Sequence, residues 1–341
     1  MRDFFFAVLW YTEYIQIGGK PMKRDQIKAM VYGHAIGDAL GVPVEFQTRE
    51  QLSRNPIEDM QGGGTYNMPA GSWSDDTSMT LCVLDSLSEK GSIDYENIMQ
   101  HFMRWLDSEY TPTGKVFDIG HGTMKALMRY KKGAKPLESG GRSERDNGNG
   151  SLMRISPVPL FLALTKDKLD DEAMELVHKV SSLTHAHPRS LIACGIYTHI
   201  AFGLLKGKGV TDAITDGIIS AEEYYSEHSE FMLEKEMYDR VWNLRRFKAL
   251  QEADIRSSGY VIDTLEASLW CFMTTKSYRA CVLKAVNLGE DTDTVAAIAG
   301  GLAGLAYGWY DIQDDWKKKL LRTDFIDGVC ERFADKFNIG N

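Results

Sequence analysis

From Thr294 to Tyr310 the chain runs 17 residues without a charged side chain, yet the run opens on Glu290-Asp291-Thr292-Asp293-Thr294 and is closed by Asp311. A segment that is apolar almost all round predicts a helix buried in the protein, because a surface helix shows a polar stripe. The run is just short of membrane-spanning length and is bordered by carboxylates, which favours a buried soluble helix. Gly300, Gly304 and Gly308 recur every fourth residue, a spacing suited to close helix packing. The start of such a helix lies inside the fold. Carboxylates there need a compensating cation, because a buried unpaired charge is costly.

A second acidic cluster, Gly71-Ser72-Trp73-Ser74-Asp75-Asp76-Thr77, precedes another apolar helical stretch, Asp75 to Leu87, with Gly91 as its stop. Both clusters are also the pattern of a helix cap. One cap needs only one side chain, however, and adjacent carboxylates repel unless a cation or proton separates them. Two such clusters, more than 200 residues apart along the chain, suggest one metal site assembled by the fold. Its donors are carboxylate and hydroxyl oxygens, which select Mg²⁺, Mn²⁺ or Ca²⁺ over Zn²⁺ or copper. Their number suits two ions better than one.

Three further motifs are weaker. Gly33-His34-Ala35-Ile36-Gly37-Asp38-Ala39-Leu40-Gly41 reads as a closely packed helix ended by Pro43, with Glu45 just beyond it. Glu45 is equally a solvated loop carboxylate. Asp146-Asn147-Gly148-Asn149-Gly150-Ser151 is a tight turn or a backbone amide nest for a phosphate or ribose. Thr184-His185-Ala186-His187-Pro188 lacks the companion ligands of a zinc site. Thr184 there suits a helix cap with Pro188 in the first turn, and His185 is placed to meet a sugar or base.

Elsewhere helical periodicity dominates: Glu172–Leu183, Arg189–Leu205, Ala221–Ala253, Ile262–Phe272 and Tyr278–Val286. Leu152–Leu162 is the best strand candidate, weakened by Pro157 and Pro159. The expected fold is all-α, a single compact domain over residues 22–341, because no linker divides them. Residues 1–21 read as an extension outside that domain, with translation expected to start at Met22. The net charge of 39 − 48 = −9 disfavours general nucleic-acid binding. Five cysteines without a CxxC pair read as buried free thiols in a reducing, cytoplasmic compartment. No heptad seam or exposed apolar stripe is evident, so a monomer without membrane attachment is expected.

In order and content these stretches resemble the ADP-ribosylglycohydrolase family, which includes the dinitrogenase-reductase-activating glycohydrolase and relatives that cleave ADP-ribose from arginine or serine. The matching residues are Gly37-Asp38-Ala39-Leu40-Gly41 with Glu45, Ser74-Asp75-Asp76-Thr77, Phe117-Asp118-Ile119-Gly120, Gly148-Asn149-Gly150, Thr184-His185, Ser258-Gly259-Tyr260-Val261 and Asn287 to Thr294. Much of 211–250 lies outside the match. The resemblance implies an all-helical fold with two Mg²⁺ or Mn²⁺ ions in a central cleft. It implies Ser74, Asp75 and Asp76 as metal ligands from one side and Asp291, Asp293 and Thr294 from the other, with Asp293 bridging. Ser74 stands where many members have Thr. The implied reaction is hydrolysis at the anomeric carbon of a ribose, with Glu45 as acid/base or water-positioning group and metal-bound Asp75 and Asp293 completing the catalytic set. Asp118 resembles the acid that arginine-directed members use near the guanidinium. Gly148, Asn149, Gly150, His185 and Tyr260 would line the ADP-ribose side, with adenine stacking on an aromatic such as Tyr260. The implied partner is an ADP-ribosylated protein, at arginine first, or a small ADP-ribose conjugate. The ligand set by itself also permits a di-metal phosphohydrolase of a nucleotide or sugar phosphate. Some relatives are non-catalytic eye-lens crystallins, but Glu45 and all six implied ligands are retained here.

Overall fold

The computed structural model describes residues 22–340, so the expectation for residues 1–21 lies outside the described residues. Twelve helices of nine residues or more carry the architecture among them: α1 (Arg24–Gly41), α2 (Asp75–Lys90), α3 (Tyr95–Leu106), α4 (His121–Lys131), α5 (Pro157–Thr165), α6 (Asp171–Ser182), α7 (Pro188–Leu205), α8 (Val210–Glu227), α9 (Val261–Thr274), α10 (Tyr278–Val286), α11 (Thr292–Tyr307) and α12 (Thr323–Lys336). The only β-type pairings among the described residues are three isolated bridges, so the all-α expectation holds.

Helix α11 is the axis of the fold, buried from Thr292 to Gly304. It packs along α1, with α10 and α9 on other sides. The α1–α11 contact is a seam of small residues in antiparallel register. A Cβ on Gly33 would collide with Gly300 O, one on Gly37 with Ala296 O, and one on Gly41 with the backbone of Asp293. Gly304 meets Ala29 O in the same way. Removing side chains from this face lets two backbones touch, as small-residue spacing does in helix pairs generally. Gly37→Val is therefore expected to cost roughly 3 kcal/mol or more, as overpacking of a tight core does. A melting temperature unchanged in that variant would overturn the seam.

Three local expectations need correction. Helix α11 stops at Tyr307, because Gly308 takes φ +84 and its N–H closes back on Gly304 O. Gly308 is thus a terminator and not part of the seam. Leu152–Leu162 is no strand: residues 151–154 turn, and Pro157 occupies the first turn of α5, where its missing N–H costs nothing. Ala221–Ala253 is not one helix. Helix α8 ends at Glu227, His228 is extended, and single turns follow to Asp254. Asn243 restarts the chain by capping Arg246 N, a local bond that competes with helix continuation. Phe231, Tyr238, Val241 and Phe247 still reach the core from these turns, whereas Met232 and Met237, at the same apparent helical spacing, are exposed.

All five cysteines are free and buried, with thiols pushed up by burial. No described helix is long and apolar enough to cross a membrane.

Candidate active site

The seam brings the C-terminus of α1 against the N-terminus of α11, and α2 begins beside both. Asp38, in the last turn of α1, is fully buried and organises the start of α2. Its carboxylate accepts from Ser74 N (2.9 and 3.0 Å), Thr77 N (3.1 Å) and Thr77 Oγ1 (2.5 Å). Ser74 caps α2, accepting from Asp76 N at 3.3 Å. With the helix start already satisfied by Ser74 and Asp38, the side chains of Asp75 and Asp76 are not needed for capping. Asp291 sits at the N-cap of α11 but makes no side-chain cap bond. Its Oδ2 instead accepts from Asn149 Nδ2 at 2.7 Å. Asp293 Oδ1 accepts from Thr294 N at 2.9 Å.

These elements converge into two groups of three carboxylates whose oxygens lie within 4.8 Å of one another: Asp38, Asp76 and Asp293, and Glu45, Asp291 and Asp293. Asp293 is common to both. Ser74 Oγ and Thr294 Oγ1 lie 3.1 and 3.3 Å from Asp76 Oδ2. Asp75 belongs to neither group of three. It is buried at the same helix start, with Gly120 N 3.5 Å from its Oδ2. Burial and the mutual repulsion of these acids push Asp75, Asp76 and Asp293 well above the usual carboxylate range. Burial, then the charges of Asp118 and Asp291, push Glu45 up to about 9. Asp76 Oδ1, Asp293 Oδ2 and Glu45 Oε2 are buried without a hydrogen-bond partner. Clustered carboxylates that each leave an oxygen without a partner fit divalent cations, since either a cation or a proton must offset their repulsion.

Glu45 is held by its neighbours' backbone. Phe46 N donates to Glu290 O and Glu290 N to Gln47 O, both at 2.7 Å. That short ladder ties the loop after α1 to the loop before α11. Asp118 is half-buried on the segment leading to α4, and its charge acts on Glu45, Asp75 and Asp293.

The other candidates lie on a connected wall. Gly148 pairs with Tyr260 in a β-bridge, Asn149 N donates to Gly259 O and Val261 N to Asn147 O. The Asn149 amide is thus occupied, and neither Gly148 nor Gly150 has positive φ, so this turn is not a left-handed nest. Gly150 makes room for His185: a Cβ there would lie 2.8 Å from the imidazole, as would one on Gly122, whereas one on Gly148 would sit at an ordinary 3.5 Å. His185 is buried and held neutral, pushed down to about 3 by burial, with Nδ1 2.7 Å from Thr184 Oγ1. Thr184 is not the helix cap expected of it. His187 caps α7, its Nδ1 accepting from Arg189 N. Tyr260 is half-buried, and its hydroxyl accepts from Arg189 Nη1 at 3.0 Å.

Several contributors carry no clear sequence signal. Asp38 appears in a recognisable stretch, but only contacts reveal that it anchors Ser74 and Thr77. Arg154 is wholly buried and donates to Gly150 O, and to Val180 O at 3.3 Å, fixing the turn from behind. Tyr66 lies close to Glu45 and Asp118, and burial, then the charges of Asp118 and Glu45, raise its pKa.

A family model described as ADP-ribosylglycohydrolase matches residues 20–340. The chain is 33% identical over 312 residues to the ADP-ribosylarginine hydrolase Tri1 of Serratia proteamaculans, covering 90% of this chain and 78% of that one. It is 31% identical to the ADP-ribosyl-[dinitrogen reductase] glycohydrolase of Rhodospirillum rubrum, covering 88% and 92%. A solved structure titled ADP-ribosylglycohydrolase-related protein complex superposes with TM-score 0.74 at 27% identity, covering 92% and 98%. With the match running through every element that builds the acidic cleft, the chain is an enzyme that belongs to the ADP-ribosylglycohydrolase family.

Proposed function

We propose that the protein hydrolyses the ribosyl C1–N bond of an ADP-ribosylated arginine on a protein or small conjugate, releasing ADP-ribose. The observation that carries this reading is the pair of carboxylate groups sharing Asp293, with orphaned oxygens beside a Glu45 held in its protonated range. The printed activities of the Serratia and Rhodospirillum relatives support the acceptor and the class of bond. Ser74, Asp75 and Asp76 on one side and Asp291, Asp293 and Thr294 on the other would hold two divalent ions, Mg²⁺ or Mn²⁺. Such ions grip vicinal hydroxyls and lower the pKa of a bound water. Asp38 and Asn149 keep the ligands in place through Ser74, Thr77 and Asp291. Glu45 is set to exchange a proton with the departing nitrogen or the attacking water as C1–N breaks and C1–O forms. Asp118, half-buried beside Glu45, would offer a counter-charge to a cationic leaving group. The wall of Gly148, Asn149, Gly150, His185 and Tyr260 would receive the nucleotide, with the neutral His185 presenting a polar ring edge.

The test is incubation with ADP-ribosyl-arginine and ADP-ribosyl-serine peptides, with Mg²⁺ and then with EDTA, reading free ADP-ribose by mass spectrometry. Release from the arginine peptide that EDTA abolishes is expected. Release of inorganic phosphate without free ADP-ribose would replace this reading with a phosphohydrolase.

A further inference from the structure

Phe46 is the anomaly of the cleft. It follows Glu45, is 67% exposed, and adopts φ +67. A bulky residue in the left-handed region is a true backbone outlier, and such strain gathers where function holds it. The Phe46–Glu290–Gln47 ladder keeps the strain in place. Across the cleft the arrangement is mirrored: Phe117 precedes Asp118, itself at φ +51. Tyr66 lies between them, its ring 6.5 Å from Phe46 and 5.2 Å from Phe117, centre to centre. Each acid thus has a phenyl ring as chain neighbour, and a third ring links the two. Glu45 is 5% exposed, and its buried Oε2 has no partner.

Aromatic faces beside two acids suit one chemical class: a planar, delocalised cation on an apolar stem. A guanidinium is weakly hydrated, stacks on rings and donates to carboxylates in its own plane. We infer that Phe46, Tyr66 and Phe117 form the acceptor wall of the site, holding the arginine guanidinium over their rings with its N–H groups toward Glu45 and Asp118. This rests on the arginine reading proposed above and adds the residues that select it. Phe46, at the exposed end, is the specificity-determining position.

The experiment compares wild type with Phe46→Leu, which keeps bulk without a π-face, and Phe46→Tyr, which keeps the face. Phe46→Leu should raise KM for the ADP-ribosyl-arginine peptide about tenfold, the size of one cation–π contact, and Phe46→Tyr should restore it. Inhibition by agmatine, an alkylguanidinium, should weaken in parallel, while neutral citrulline inhibits neither protein. ADP-ribose affinity by calorimetry should stay within about twofold, since the ring faces the acceptor side. Equal KM and equal agmatine inhibition in wild type and Phe46→Leu would overturn the wall while leaving hydrolysis standing. Should wild type release no ADP-ribose from arginine, the functional reading fails instead. Agmatine binding to the ADP-ribose-loaded protein then decides the wall, by its loss or retention in Phe46→Leu.

Discussion

Asp293→Asn is expected to abolish Mg²⁺ binding and to lower kcat/KM by about a thousandfold or more, while raising the melting temperature of the metal-free protein. Asp293 is the carboxylate common to both acidic groups, so one substitution removes a donor from each. Loss of several kcal/mol of charge stabilisation at the reacting centre corresponds to a rate loss of that size. The stability change runs the other way. Asp293 is fully buried and its Oδ2 lacks a partner; burial and the charges of Glu45, Asp118, Asp76 and Asp291 oppose its ionised form, so folding must either bear that repulsion or take up a proton, a cost an amide does not carry. An amide keeps the Oδ1 acceptor for Thr294 N and places a donor where the orphaned oxygen stood. Calorimetric titration and thermal melts read both effects. Unchanged Mg²⁺ affinity in Asp293→Asn and in Asp291→Ala would remove the assignment of the site.

The metal-free protein should lose stability between pH 7 and 8, and saturating Mg²⁺ should flatten that slope. An unfolded chain releases its carboxyl protons near pH 4. Glu45, pushed up to about 9, retains its proton in the folded metal-free state, and Asp75, Asp76 and Asp293, pushed well above the usual range, shift the balance in the same direction. The folded state then binds more protons than the unfolded one, so stability falls as pH rises, by about 1.4 kcal/mol per pH unit for each proton retained. Among buried groups outside the site, Glu266, pushed up to about 7 by burial, adds a residual slope near pH 7 that Mg²⁺ leaves in place. His34, His178 and His185, pushed down to about 4, 3 and 3, act in the opposite direction, but only below their unfolded value of about 6.5. The buried thiols contribute mainly above about 8.5. Bound cations replace the protons, so Mg²⁺ uptake should release protons in the same range, measurable as a buffer-dependent heat. A flat metal-free profile would mean the acids are already ionised.

The sequence exposed features that depend on composition along one segment. An uncharged run opened by carboxylates announced a buried axis with a charged start, and α11 is that axis. Stacked Ser and Asp at the mouth of α2 exceeded the needs of a cap, and Ser74 indeed caps alone with Asp38 behind it. Pairings between distant segments were illegible. Asp38 reads as an odd acid in an apolar helix until Ser74 and Thr77 are seen donating to it. The glycines at 148 and 150 suggested a phosphate nest, but Gly150 clears space for His185, which joins the wall from 35 residues away, and Gly148 pairs with Tyr260. The helical spacing across 221–253 held for burial only in part, since Phe231 and Val241 are buried while Met232 and Met237 are exposed, and it was misleading for continuity. A chain of short turns around Asn243 presents the buried ones at similar intervals. Tyr66 lay in a glycine-rich loop that offered no pattern to read.

The small-residue seam has a consequence for how such a protein diversifies. The contact that places Asp293 is the contact that holds the two central helices together, so drift that shifts the metal ligands also breaks the fold. Variants with a sloppy catalytic centre are therefore removed as misfolded chains before selection on activity acts. The loops bearing Phe46, Tyr66 and Phe117 lie off the seam and escape that filter. Acceptor range is the trait left open to rapid change, and a mutational library confined to those loops should yield folded proteins of altered preference far more often than one spread over α1 and α11.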